Sequence, residues 1–310
     1  MEMKTGNEGI NKNHKVKKAI IPAGGLGSRF LPASAAIPKE IFPVFDKPLI
    51  YFAIEELKEA GVEEIYLVIS PWKVPFFESF LNLKERYSRL IADPSKKSVL
   101  DKISFLSEWP KITLVIQNEA KGLAEAVGLC KDQIRDDAFF VLLPDEVFVS
   151  NHVNPSLSLL KTYQQFEKST VGLFEIPHED VGNYGVAKLG LSLGDHSNSV
   201  RNLNQISKDP SAPMTYQLNG LVEKPKPEDA PSDFMLPGRY LFTQKFWTAI
   251  EEELQQIQNL KLNQELHITN ALDRMATDQM LLGQVVQGQR FDVGRPEGLL
   301  NLSHHIFNEI

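Results

Sequence analysis

The stretch AIIPAGGLGSRFLPASAAIPKE, residues Ala19–Glu40, decides how the rest of the chain is read. An apolar run ends at Pro22 and is followed at once by three glycines, Gly24, Gly25 and Gly27. Glycines at such a point let backbone N–H groups come close to a phosphate or a base. A Walker loop would close on Gly-Lys-Ser or Gly-Lys-Thr, but Gly27-Ser28-Arg29-Phe30 stands here. A dinucleotide fingerprint would place a further glycine where Phe30 stands. The loop is therefore glycine-rich and basic, and of neither common type. A helix start near Pro32 would favour an anion. Arg29 offers two parallel hydrogen bonds to phosphate oxygens, and Lys39 a compact, flexible positive charge. The bland alternative is a tight turn with two solvated cations.

Working outward, KKAIIP reads as a short buried strand, KPLIYFAIEELKEAG as a helix stopped by Gly61, and VEEIYLVIS as the next strand. FFESFLNLKERYSRLI is helical in pattern, KITLVIQ a strand, GLAEAVGLC a helix and AFFVLLPDE a strand ending in an acidic turn. Strands alternating with helices predict a mostly parallel sheet covered on both faces. Beyond Asn154 the pattern is mixed. STVGLFEIP, YGVAKLG, YQLNGLVEKP and GRYLF are strand-like, QKFWTAIEEELQQI and ELHITNALDRMA helical, and LLGQVVQGQRFDVG closes with strand character. The organisation expected is a flexible segment over 1–16 and one α/β domain over 17–310 with insertions in its second half.

The net charge of -7 argues against non-specific affinity for nucleic acid. A single cysteine, Cys130, allows no intrachain disulfide, fits a cytoplasmic setting and lies in an apolar helix as packing. No apolar run suits a signal peptide or a membrane span, so no membrane partner is expected.

Carboxylates supply the remaining chemistry. Asp145 follows a predicted central strand, at the edge where open parallel sheets bind ligands, and its hard oxygens suit Mg2+ bridging phosphates. Its ordinary reading is a turn cap. Asp292, in RFDVG, is a second carboxylate at a strand end that could meet Asp145 across the sheet edge. Glu146 is adjacent to Asp145 but points differently. In LVEKPK, Glu223 can accept sugar hydroxyls and Lys224 can hold a phosphate, or the two form a surface ion pair. His178 and His267 show no metal-ligand spacing and read as surface or interface residues, and no nucleophile elbow is present.

In this order the blocks GLGSRFLPASAAIPKEIFPVFDKPLI, AKGLAEAVGLC, LLPDE, YGVAKLG, GLVEKPKPEDAPS, GRYLF, ELHITNALD and FDVG closely resemble the bacterial UTP–glucose-1-phosphate uridylyltransferases of the sugar-nucleotidyltransferase family. The resemblance runs from about Lys17 to Gly298. It implies a Rossmann-like mixed, mostly parallel sheet flanked by helices, with UTP and glucose 1-phosphate as substrates and Mg2+ as cofactor. It implies that Ala23, Gly24 and Gly25, with Gln117 and Gly122, receive the uracil and ribose. Arg29 and Lys39 would hold the triphosphate, Asp145 and Asp292 the Mg2+, Gly185 and Glu223 the hexose and Lys224 its phosphate. A homodimer or homotetramer is implied as well.

Four departures stand out. Ala35 replaces a lysine of the family pattern. Ala124-Glu125 replaces Gly-His, placing a methyl group and a carboxylate near a base or polyanion, where Glu125 either repels phosphate or simply faces elsewhere. Gln264 replaces an acidic residue. Ile268-Thr269-Asn270 replaces Leu-Thr-Asp. Lost positive and added negative charge point to weaker nucleotide binding or altered specificity. Two rival functions follow: a nucleotidyltransferase using dTTP or another sugar phosphate, and a catalytically weak nucleotide-sugar-binding regulator.

Overall fold

Every side chain of the strand Phe139–Leu142 is buried, and the strand explains the architecture. Successive side chains of a strand point to opposite faces. Phe139 and Val141 enter one apolar core, and Phe140 and Leu142 enter the other. A strand apolar on both faces must lie inside a sheet covered on both sides. The computed structural model, which describes residues 15–87, 101–135, 137–149, 154–193, 215–256 and 266–309, shows that sheet.

The strands are β1 (Lys18–Pro22), β2 (Pro43–Val44), β3 (Lys47–Pro48), β4 (Glu64–Ile69), β5 (Lys111–Ile116), β6 (Phe139–Leu142), β7 (Glu146–Val149), β8 (Ser169–Glu175), β9 (Gly185–Leu193), β10 (Thr215–Glu223), β11 (Phe234–Met235), β12 (Arg239–Phe242), β13 (Leu281–Val285) and β14 (Gln289–Asp292). Ten of them form one sheet in the order β11-β9-β10-β13-β8-β12-β6-β1-β4-β5. The pairs β5–β4, β4–β1 and β1–β6 are parallel, as the alternating first half predicts. Beyond β6 the sheet is mixed: β12 runs antiparallel to both β6 and β8, while β13 runs parallel to β8. The short β11 pairs with both β9 and β8, so the later strands close on themselves.

The longer helices are α1 (Ile50–Glu59), α2 (Val74–Leu81), α3 (Leu123–Gly128), α4 (Pro155–Phe166), α5 (Lys245–Gln256), α6 (Thr269–Thr277) and α7 (Pro296–Glu309). Helix α1 presents Ile50, Ala53, Ile54 and Leu57 to one core, the spacing of a single helical face. Helix α4 begins at Asn154, whose side-chain oxygen accepts from Leu157 N at 2.7 Å. Satisfying one orphan amide in this way stabilises a helix by about 1 kcal/mol. Residues 88–91 of the helix expected from Phe76 onward, Gln264, and residues 1–14 of the amino-terminal segment lie outside the described residues.

A buried ion pair ties the two halves together. Arg239 of β12 reaches Glu56 of α1 at 2.8 Å, with both side chains nearly closed to water. The same guanidinium donates to Leu143 O and Pro237 O, each at 3.3 Å. It thereby fixes the chain just past the end of β6, and Asp145 follows three residues after Leu142. Since β1, β4, β5 and β6 are parallel, their following loops share one edge. That edge carries Ala23–Gly25, Ser70–Lys73, Gln117–Gly122 and Asp145.

Candidate active site

Behind the glycine loop, two side chains hold its carbonyls. Lys73 Nζ donates to Ala23 O at 2.6 Å, and Ser70 Oγ donates to Gly24 O. Lys73 also donates to both carboxylate oxygens of Glu40, at 3.0 and 2.9 Å, and both residues are 1% exposed. A buried lysine is tolerable only with its donors satisfied, and here three acceptors take three donors. Burial lowers the Lys73 pKa from its ordinary value, against the pull of Glu40. Glu40 is the neighbour of Lys39, so this pair ties the glycine loop to the segment carrying that cation. Among the described residues, the amides of Gly24, Gly25 and Leu26 donate to nothing in the chain. With the carbonyls held from behind, those amides are available to a ligand.

Lys39 Nζ lies 2.8 Å from Asp145 Oδ2. Burial opposes charge on both groups, but their mutual attraction and hydrogen bond outweigh it, so the Lys39 pKa is raised and the Asp145 pKa lowered. Arg29 adds to the lowering of Asp145. Asp292 ends β14, which runs antiparallel to β7 with Asp292 opposite Glu146. Val293 N donates to Asp145 O at 2.9 Å and locks the two strand ends together. Arg29, Asp145 and Asp292 converge on Gly294. A methyl group there would stand 3.1 Å from Asp292 Oδ1, 3.4 Å from Arg29 Nη1 and 3.5 Å from Asp145 Oδ2. The two carboxylates thus meet at the sheet edge.

These groups open onto a cleft of about 420 Å3, whose walls include Arg29, Asp145, Asp292, Gly185, Glu223 and Lys224. Neighbouring residues of a strand should face opposite ways, yet Glu223 and Lys224 both line it. The cause is the left-handed backbone of Lys224, at φ 46°, which turns the chain just after β10. The turn is secured by Lys224 N donating to Tyr184 O at 3.0 Å. Glu223 Oε2 accepts from Thr269 Oγ1 at 2.5 Å, and Gly185 lies beside both. Lys224 stays 3.8 Å from Glu223, a loose pair that leaves its ammonium half-exposed.

Of the twelve residues expected to form the site, those six line the cleft. Lys39 meets it through Asp145. Ala23, Gly24, Gly25, Gln117 and Gly122 form a shoulder on the neighbouring strand ends. Gly122 enters α3 at φ 103°, where a side chain would collide with Leu266 O and N at 2.4 and 2.6 Å. The departures resolve differently from their charge alone. Ala124 is fully buried in the core. Glu125 turns to Gln117 Nε2 at 2.8 Å and Lys121 N at 3.1 Å. Ala35 is solvent-exposed.

Several residues of the site escaped the sequence reading. Arg295 lines the cleft 3.7 Å from Asp292. Tyr184 lies 3.5 Å from Asp292 Oδ2, under the Arg290 guanidinium 4.7 Å from its ring centre. Arg290 grips Glu146 with two bonds of 2.6 Å. His267, read as a surface or interface residue, is exposed as read and lines the cleft as well, 3.9 Å from Glu223. Its sequence signal was its place two residues before Thr269 in ELHITNALD. His178 is a surface residue as read, bonded to Asp233 at 2.7 Å. Cys130 is buried packing, and burial pushes its thiol up to about 12.

A model of the family described as Nucleotidyl transferase matches residues 18–309. The chain belongs to this nucleotidyl transferase family. It is 34% identical over 289 residues to the UTP–glucose-1-phosphate uridylyltransferase of Staphylococcus epidermidis, covering 92% of this chain and 90% of that one. It is 33% identical over 294 residues to UTP–glucose-1-phosphate uridylyltransferase 2 of Streptococcus pyogenes, covering 93% and 89%. Its fold matches a UDP-glucose pyrophosphorylase complexed with UDP-glucose at a TM-score of 0.77 and 29% identity, over 95% of this chain and 100% of that one. It matches a UTP-bound UGPase of Acinetobacter baumannii at 0.75 and 28%, over 95% and 94%. No helix among the described residues of this nucleotidyl transferase is long and apolar enough to cross a membrane.

Proposed function

We propose that the chain transfers UMP from UTP to glucose 1-phosphate, giving UDP-glucose and pyrophosphate. One observation carries this reading. A single cleft in a nucleotidyl transferase fold is lined at once by the Arg29 guanidinium, the Asp145 and Asp292 carboxylates, and the Glu223–Lys224 pair, a set whose chemistry suits a metal-bridged triphosphate on one side and a sugar phosphate on the other. The relatives that carry this activity in their names match over nearly the whole chain.

An oxygen of the sugar phosphate attacks the α-phosphorus of UTP in line. The new P–O bond forms as the bond to the β-phosphate breaks, and pyrophosphate leaves with the electron pair. The attacking phosphate is ionised at neutral pH, so no protein nucleophile or base is required. The side chains act by positioning and by offsetting crowded negative charge. Arg29, with no ion-pair partner among the described residues, and Lys39 would hold the triphosphate. Lys224 would hold the sugar phosphate, and Glu223, oriented by Thr269, a hexose hydroxyl beside Gly185. The shoulder of Ala23, Gly24, Gly25, Gln117 and Gly122 would receive uracil and ribose.

The donor set fits Mg2+. Asp145 and Asp292 present hard oxygens around one point at Gly294, and no cluster of three or more metal-ligating side chains occurs among the described residues. Two carboxylates completed by substrate phosphates and water is the usual arrangement for this ion. When bound it supplies charge neutralisation on the phosphate oxygens. This reading treats residues 17–310 as one nucleotidyltransferase unit and the protein as cytoplasmic, working as a homodimer or homotetramer.

The test is pyrophosphate release with UTP, glucose 1-phosphate and Mg2+, run beside dTTP and a no-sugar control. Sugar-dependent release with UTP is expected. Faster release with dTTP would move the assignment to thymidylyl transfer, and binding without release by folded protein would favour the regulatory reading.

A further inference from the structure

The sequence leaves open whether Glu125 repels a phosphate or faces elsewhere; in the structure its carboxylate is already engaged. Its Oε2 accepts from Gln117 Nε2 at 2.8 Å and from Lys121 N at 3.1 Å. We infer that Glu125 is a positioning residue that fixes which way the Gln117 amide points and thereby makes the site select a base carrying an imino N–H, uracil over cytosine. The inference rests on the reading of the glycine loop and its neighbours as the nucleotide site.

The argument begins with donor and acceptor identity. An ionised carboxylate only accepts hydrogen bonds, whereas a side-chain amide has one donating and one accepting end. The end of Gln117 that faces Glu125 must therefore be its nitrogen. The second amide hydrogen is directed at Gly122 O, 3.3 Å away. Both donors of Gln117 are thus committed to α3 and its entry.

The carbonyl oxygen is left pointing the other way, at the glycine loop. A methyl group on Gly24 would stand 2.1 Å from Gln117 Oε1, so the oxygen lies directly against that backbone. Among the described residues it accepts no hydrogen bond, and it is not one of the polar atoms sealed from solvent without a partner. It is an acceptor without a partner among those residues, against the Gly24 backbone of the glycine loop. Backbone bonds set its position, since Gln117 N donates to Ile69 O at 2.9 Å and Ala23 N to Val68 O at 2.7 Å. The Gln117 side chain thus projects from the end of β5, and Ala23 from the end of β1, on either side of β4.

A base edge placed against Oε1 must present a hydrogen. Uracil and thymine do so at N3, while cytosine presents a lone pair there and would leave two acceptors facing each other. A site built around such a bond rejects a ligand lacking the donor far more strongly than it rejects one differing by a methyl group. Glu125 therefore separates UTP from CTP and leaves UTP and dTTP alike at this point. Without the carboxylate only the longer bond to Gly122 O, at 3.3 Å, holds the amide nitrogen, and the turned-over amide that presents its N–H becomes accessible.

The experiment compares UTP with CTP, in turnover with glucose 1-phosphate and in direct calorimetric binding, for wild type, Glu125→Ala, Glu125→Gln and Glu125→Lys. Glu125→Ala should lower the UTP-to-CTP ratio at least tenfold, mainly through the UTP KM, with the glucose 1-phosphate KM held. Glu125→Gln, which still offers a carbonyl, should restore part of the ratio. Glu125→Lys, which offers only donors, should draw Oε1 to itself and move the ratio furthest toward CTP. Equal loss with both nucleotides in Glu125→Ala would show a merely structural role and overturn the inference, as would an unchanged ratio in all three variants. Absence of turnover by wild type would overturn the uridylyltransferase reading alone, because the binding ratio still decides the role of Glu125.

Discussion

Replacing Lys73 by methionine removes the cation from a nearly closed site and leaves Glu40, 1% exposed, without its ionic partner. Ala23 O loses its donor at the same time. Breaking a buried pair from one side costs about 3–5 kcal/mol. Unfolding entropy of about 2.1 cal/mol/K per residue over the 310 residues gives roughly 0.65 kcal/mol per kelvin. Lys73→Met should therefore melt about 5–8 °C below wild type in a calorimetric scan. Adding Glu40→Leu removes the stranded carboxylate and should recover most of that loss, since well-packed apolar pairs replace buried ion pairs at little cost. Turnover should not recover with it, because Lys73 also ties Ala23 of the glycine loop to the segment carrying Lys39. Pyrophosphate release measured well below the melting range separates the two effects. A Lys73→Met protein melting within about 1 °C of wild type would refute the stabilising role. Full activity in the double variant would refute the tether.

Other outcomes follow from the same geometry. Asp145→Asn and Asp292→Asn should each reduce Mg2+-dependent turnover while far-UV circular dichroism stays unchanged; normal turnover in both would remove their assigned metal role. Lys224→Ala should raise the KM for glucose 1-phosphate more than that for UTP in initial-rate kinetics, the reverse order rejecting its placement. Cys130, fully buried with its thiol pushed up to about 12, should resist a disulfide reagent at pH 8 until the chain is unfolded. Asp145 has a folded pKa below its ordinary value of 3.8, so its stabilising contribution is present above that value and is lost as pH falls through the lowered one. Lys39→Met removes the main pull, so the variant should be less stable than wild type at neutral pH, and a pH-stability curve should show a shallower acid limb with the two proteins converging at low pH.

The amino-terminal half was legible because its signals are local. Apolar runs bounded by Gly61, Pro22 and the Pro144-Asp145 turn each make one strand or helix, and their alternation dictates parallel pairing. Elements judged from composition alone were coarser. LLGQVVQGQRFDVG reads as one closing strand but divides into β13 of the large sheet and β14 beside β7, with Gly288 at φ 122° in the break. The first part of FFESFLNLKERYSRLI is interrupted at Asn82. In the site, the cations and carboxylates that sit beside glycines or at strand ends could be named, because chemistry and chain position coincide there. Lys73 could not: its partner Glu40 is 33 residues away, and Arg290 lies 144 residues from Glu146. Glu125 is instructive in another way. Its charge is plain in the sequence, but its direction depends on a glutamine at the end of β5, so the charge alone leaves open whether it repels a phosphate or faces elsewhere.

The hold of Ser70 and Lys73 on the carbonyls of Ala23 and Gly24 bears on the thermodynamics of ligand capture. A loop whose peptide planes are already oriented loses little conformational entropy when an anion or base arrives, because that ordering was completed as the protein folded. The free loop should look rigid rather than adaptive, with slow amide exchange at the residues behind it. Affinity at this edge of the sheet then depends on the strand framework as much as on the ligand contacts. Loosening Ser70 would weaken binding through entropy without removing a single group that touches the nucleotide.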